Sequence, residues 1–145
     1  IEDGEPREVP VLNIDLPDGA RSFLVAIAPA VGEYRGRAYD TSLDAQPIGS
    51  VRFINLAPFR IGLSLNGQST LMRPGVDRVV PVNDAQEIVR VAVATIAEDG
   101  QRTLFNTSYQ MIPGFRLLLV GTLRTGSLDD DMPYTVLSRR DRGDF

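Results

Sequence analysis

The run from Gly49 to Val82, GSVRFINLAPFRIGLSLNGQSTLMRPGVDRVVPV, constrains the fold more than any other part of the chain, because its apolar residues recur at every second position and its breaks are turn dipeptides. Successive side chains of a strand point to opposite faces, so this period specifies half-buried β-strands and not an amphipathic helix. Phe59, Ile61, Leu63 and Leu65 face one way, while Arg60, Gly62, Ser64 and Asn66 face the other. Asn66-Gly67 then marks a type I′ hairpin, in which both central positions need positive φ. Val51–Ala57 is apolar on both faces apart from Arg52 and Asn55, which suits a central strand.

The same reading extends along most of the chain. An acidic arm over residues 1–8 leads into an expected first strand, Arg7–Ile14. The Pro17-Asp18-Gly19 turn precedes Arg21–Ala28, expected as a buried strand. Val31–Pro47 loses the alternation and reads as an irregular excursion anchored by Tyr34 and Tyr39. Gln68–Met72 and Val76–Val82 flank Pro74-Gly75, and Asn83–Glu87 reads as no more than a helical turn in a connection. Phe115–Leu123 follows Pro113-Gly114, and Tyr134–Leu137 makes a short last strand before a frayed tail over residues 138–145. The register between Ile88–Ala97 and Arg102–Met111 can be argued, since a slip of one residue exchanges the faces. A three-residue loop Glu98-Asp99-Gly100 with a left-handed bulge at Gly100 sets Val93 opposite Phe105 and Val89 opposite Tyr109, so that the apolar residues share a face.

About nine strands separated by turn signals predict a single all-β domain over residues 1–145, an antiparallel β-sandwich of immunoglobulin-like or jelly-roll-like type, with closure into a barrel as the other arrangement. The expected core contains Phe53, Phe59, Leu63, Val91, Val93, Phe105, Leu117 and Leu119. A chain of 145 residues buries enough surface to fold without disulfides or a structural metal.

Composition removes whole classes of chemistry. The chain has no histidine, cysteine or lysine, so all fifteen basic residues are arginine. Thiolate and Schiff-base catalysis, a Ser-His triad, a Walker lysine and every cysteine-based metal centre go with them. A net charge of −4 with scattered arginines does not fit a nucleic-acid partner. No apolar run approaches the roughly 18 residues of a membrane span.

What remains is weak. Asp40, Ser42 and Asp44 sit at alternate positions like the first half of a calcium loop, yet Ala45 and Val51 stand where such a loop carries glycine and glutamate. The run Asp129-Asp130-Asp131 beside Pro133 reads as an exposed loop, and Arg142-Gly143-Asp144 and the sequon Asn106-Thr107-Ser108 as chance matches. No catalytic, cofactor-binding or metal-ligating residue is assigned. Glu98 with Asp99 represents the carboxylate pairs that a glycan hydrolase or lyase would need, and that activity is the alternative to a binding role.

The segment GSVRFINLAPFRIGLSLNG, followed by the FRLLLV strand and the late LSRRD, resembles a group of small uncharacterised exported bacterial proteins. VRFINL with its downstream Asn-Gly turn is similar to repeats in the periplasmic alginate-acetylation accessory protein and in other extracytoplasmic β-sandwich modules of bacteria. The resemblance covers mainly residues 49–124. It implies a periplasmic or secreted β-sandwich that binds or assembles with protein or glycan at the cell envelope and is not an enzyme. The residues expected on such a partner-binding surface are Tyr34, Tyr39, Arg60 and Phe115, being aromatic or guanidinium groups.

Overall fold

The alternating segments become strands close to where their period puts them. The computed structural model describes residues 4, 6, 8–10, 12–30, 33–82, 88–97, 100–123 and 134–143. Among these it contains ten strands and no helix: β1 (Phe23–Ala30), β2 (Glu33–Asp40), β3 (Ser50–Asn55), β4 (Ile61–Leu65), β5 (Gln68–Met72), β6 (Asp77–Pro81), β7 (Ile88–Ala97), β8 (Gly100–Gln110), β9 (Arg116–Leu123) and β10 (Tyr134–Asp141). They form two four-stranded sheets, ordered β10-β9-β3-β6 and β5-β4-β7-β8, and a separate hairpin, β1-β2.

The two larger sheets stack face to face in a sandwich-like arrangement. Between them lie Val51, Phe53, Ile61, Leu63, Val91, Val93, Leu117 and Leu119, each no more than 1% exposed. Phe59 and Phe105, expected with them, are half-buried at the margin. The β1-β2 hairpin adds a third layer on the outside of the first sheet, where Ala26 and Tyr39 pack against Ile54 and Leu118. That layer explains why β3 is buried at all six positions, since both of its faces are covered.

Asn66 and Gly67 take φ of 50° and 82° and join β4 to β5 with Leu65 opposite Gln68, as the Asn-Gly signal requires. In the β7-β8 pair, Val93 lies opposite Phe105 and Val89 opposite Tyr109, the expected register. Its origin differs from the expectation. Ala97 pairs directly with Gly100, and the extra residue enters at Leu104, where the pairing shifts between Val93 and Ala94. Leu104 and Phe105 thus both reach the core side, so the bulge adds an apolar side chain to it.

Several expectations are corrected. The first sheet is mixed: β3 runs parallel to β9, with Phe53 opposite Leu119. A parallel pair needs a long crossover, and here the connection passes through all the strands of the opposite sheet. Residues 8–10 and 12–14 form no strand; Pro10 offers no N–H to a ladder, and Leu12 and Ile14 instead lie against Gly36 of β2, where a Cβ would come within 2.6 Å and 2.8 Å of their tips. The expected excursion over Val31–Pro47 contains an eight-residue strand, β2. The tail is not frayed through Asp141, because β10 continues along β9 to pair Asp141 with Arg116. The helical turn at Asn83–Glu87 and the aspartates at 129–131 lie outside the described residues.

One glycine shapes the first sheet. Gly121 faces Tyr134, whose ring lies along β9 so closely that a Cβ at 121 would fall 1.8 Å from the phenol oxygen. The aromatic ring fills the space the glycine leaves.

Candidate functional site

Two buried arginines draw attention first, because a charge taken from water must be paired. Arg52, on the outer face of β3 and 5% exposed, donates from Nε to Asp77 Oδ2 at 2.8 Å and from Nη1 to the Asp40 carbonyl. Its guanidinium carbon lies 5.6 Å from the centre of the Tyr39 ring, as does that of Arg37. The Tyr39 hydroxyl and Arg37 Nη1 both donate to the Gly75 carbonyl, at 2.8 Å and 2.9 Å. Burial pushes the Tyr39 hydroxyl above its ordinary pKa, against the opposing pull of Arg37. This cluster joins the hairpin to β3 and to the turn before β6. Its groups are spent on one another.

Arg116 is 2% exposed at the start of β9. Its Nε donates to Asp141 Oδ1 at 2.7 Å, and Nη1 donates to the carbonyls of Gln46 at 2.9 Å and Ser42 at 3.2 Å. Gln46 Nε2 in turn donates to the Leu117 carbonyl at 2.9 Å. The guanidinium therefore fastens the 41–49 connection and the end of β10 to one strand. The Asp40–Asp44 segment is a local turn: Asp40 Oδ1 accepts the Ser42 N–H at 2.8 Å, and that bond holds its carboxyl below the usual range. Among the described residues no group of three or more acidic side chains is placed to hold a metal ion.

The four expected surface residues do not converge. Tyr34 is 52% exposed on the outer side of the hairpin. Tyr39 is 3% exposed and belongs to the Arg52 cluster, which corrects its assignment to a docking surface: on β2 its side chain faces the first sheet. Arg60 is exposed just before β4, in the opposite sheet. Phe115 is half-buried, with the Arg142 guanidinium 4.8 Å from its ring centre.

What Tyr34 has beside it was missed. Antiparallel pairing sets Val25 opposite Ala38, Ile27 opposite Gly36 and Pro29 opposite Tyr34, which puts Val25, Ile27 and Tyr34 on one face. Val25 is 47% and Ile27 58% exposed, although SFLVAIA reads as a buried strand. The strand is buried on one side only, through Leu24 and Ala26. The signal was present in the segment's alternation of larger and smaller residues, but nothing local tells which face meets a layer.

The chain matches no family model, no curated protein and no solved structure. The likeness of residues 49–124 to exported bacterial proteins thus rests on the strand motif alone. A second exposed feature lies across the molecule, on the outer face of the β5-β4-β7-β8 sheet: a shallow trough of about 370 Å³ floored by Gly62, Ser64, Ala92 and Ala94, with Leu71 and Ile96 at its sides. It carries no charge among these residues.

Proposed function

We propose that this chain is a non-catalytic binding or assembly module of the bacterial cell envelope that docks a protein partner on the outer face of its β1-β2 hairpin. The row Val25, Ile27 and Tyr34 carries the reading. Single exposed apolar side chains are ordinary, but these three share one face with Leu12 and Ile14, which lie over Gly36 opposite Ile27, and together they make an exposed apolar patch. They stand on a layer that adds nothing to the core between the two larger sheets. Two aliphatic side chains offer nothing to sugar hydroxyls, which favours protein over glycan. The half-buried carboxylates Asp77 and Asp141 are committed to Arg52 and Arg116, which supports structural and not catalytic roles for them. The envelope setting rests on the strand resemblance.

A photoreactive amino acid placed at Ile27 and, as a control, at the exposed Gln101 tests the docking face in cells that express the chain natively. The expected result is one defined protein adduct at Ile27 that disappears when Val25→Asp is added. Identical patterns at the two positions, or no adduct at Ile27, would refute the proposed face.

A further inference from the structure

A sheet ends in strands whose outer backbone groups are unpaired, and such edges are protected by shortness, charge, proline or bulges. Three of the four edges of the two larger sheets follow that rule. β5 has five residues and abuts Arg73-Pro74; β6 contains Asp77, Arg78 and Pro81; β10 contains Arg139, Arg140 and Asp141. β8 differs. It is an eleven-residue edge strand, and from Thr103 to Gln110, TLFNTSYQ, it carries no charge and is rich in strand-forming residues. Among the described residues no strand pairs with its outer side.

Two features bound the usable part of that edge. The bulge at Leu104 breaks the ladder at one end. At the other, Arg140 crosses from β10 and donates to the Gln110 carbonyl from Nε at 3.2 Å and from Nη2 at 3.0 Å. The regular run between them is Phe105-Asn106-Thr107-Ser108-Tyr109, whose centre is Thr107.

We infer that β8 pairs antiparallel with β8 of a second copy of this chain about a two-fold axis at Thr107, joining two four-stranded sheets into one of eight. The register is self-complementary. A two-fold at Thr107 sets each Phe105 opposite the other copy's Tyr109, each Asn106 opposite Ser108, and Thr107 opposite itself. Aromatic pairs and Thr–Thr pairs are favourable cross-strand neighbours, and no like charges face each other. Phe105 and Tyr109 are both half-buried against the core, so their exposed parts continue its apolar surface toward the partner. A two-fold moved to Asn106 would set Phe105 opposite Thr107 and lose both aromatic pairs. Identical surfaces related by a two-fold close on themselves, so the pairing stops at two copies. The interface is on a different sheet from the hairpin face and stands whether or not that face docks a partner.

The absence of cysteine makes a direct test available. Opposed residues of an antiparallel pair have Cα atoms about 4.5–5.5 Å apart, within the span of about 4.4–6.8 Å that a disulfide accepts. Under mild oxidation Thr107→Cys is expected to cross-link into a dimer at least ten-fold faster than Gln101→Cys, which has no opposed copy. Sedimentation velocity of the unmodified chain over a wide concentration range is expected to show a dimer, and Thr107→Lys, at an exposed position, to convert it to a monomer with an unchanged circular dichroism spectrum. A monomer at every concentration, a dimer that survives Thr107→Lys in folded protein, or equal cross-linking of the two cysteine variants would each overturn the inference.

Discussion

Tyr134→Phe is expected to stabilise this protein. The ring of Tyr134 is 6% exposed between Gly121 and Phe53, and its hydroxyl has no hydrogen-bond partner among the described residues. Burying a hydroxyl without a partner costs about 1–3 kcal/mol on mutational scales. Phenylalanine keeps the ring that covers Gly121 and removes only the oxygen. The small void left behind offsets part of the gain, so the net change is about 1 kcal/mol. For a domain of this size that is a rise in midpoint of about 3–5 °C, and urea melts should show a higher midpoint with the same m value. A second arm uses pH. Burial raises the Tyr134 pKa well above 10, so its neutral form is favoured in the folded state. Below about pH 10 the unfolded phenol is neutral as well and this contribution is fully present; above it the unfolded state loses a proton that the folded state keeps. Stability then falls by about 1.4 kcal/mol per pH unit for this residue. Tyr39 and Tyr109, also raised by burial, add to the decline in the same direction. The variant should therefore lose stability less steeply than the parent between pH 10 and 11. A variant less stable than the parent by more than about 0.5 kcal/mol at pH 7 would show that the hydroxyl is satisfied in the folded protein and that the reasoning is wrong.

Arg116→Ala leaves Asp141, the buried Gln46 carbonyl and the half-buried Ser42 carbonyl without this donor, and denaturant melts should show a loss of about 3 kcal/mol or more. The chain lacks histidine and cysteine, so thermal midpoints at pH 6 and pH 8 in matched salt should agree to within about 2 °C. At acid pH the lowered carboxyl of Asp40 contributes stability that is present above the unfolded value near 3.8 and is lost as pH falls through its folded value; Asp40→Asn should flatten that part of the acid unfolding curve.

Local geometry was legible where the deciding contacts are close in sequence. Asn66-Gly67 specifies its hairpin because few other dipeptides accept positive φ twice, and the turn carries its own register. Val93 finds Phe105 because any odd slip would turn a row of valines toward water. Even there the mechanism escaped, since Leu104 and Gly100 are both able to absorb one residue and only packing against the opposite sheet favours a bulge that buries leucine.

The sequence by itself determined that this chain is all-β, which segments carry its core and where its tight turns fall, because side-chain alternation and turn dihedrals act over a few residues. Tertiary structure alone decided the layering. Val25 and Ile27 were as apolar as core residues, and Tyr34 and Tyr39 were equivalent anchors, until the β1-β2 hairpin laid one face on the first sheet and left the other outside. The parallel β3-β9 pair, the pairing of Arg52 with Asp77 and the reach of Arg116 to Gln46 and Asp141 likewise join residues far apart in the chain. Such choices depend on which surfaces remain to be buried once the strands have formed, and a period read along the chain holds no record of that.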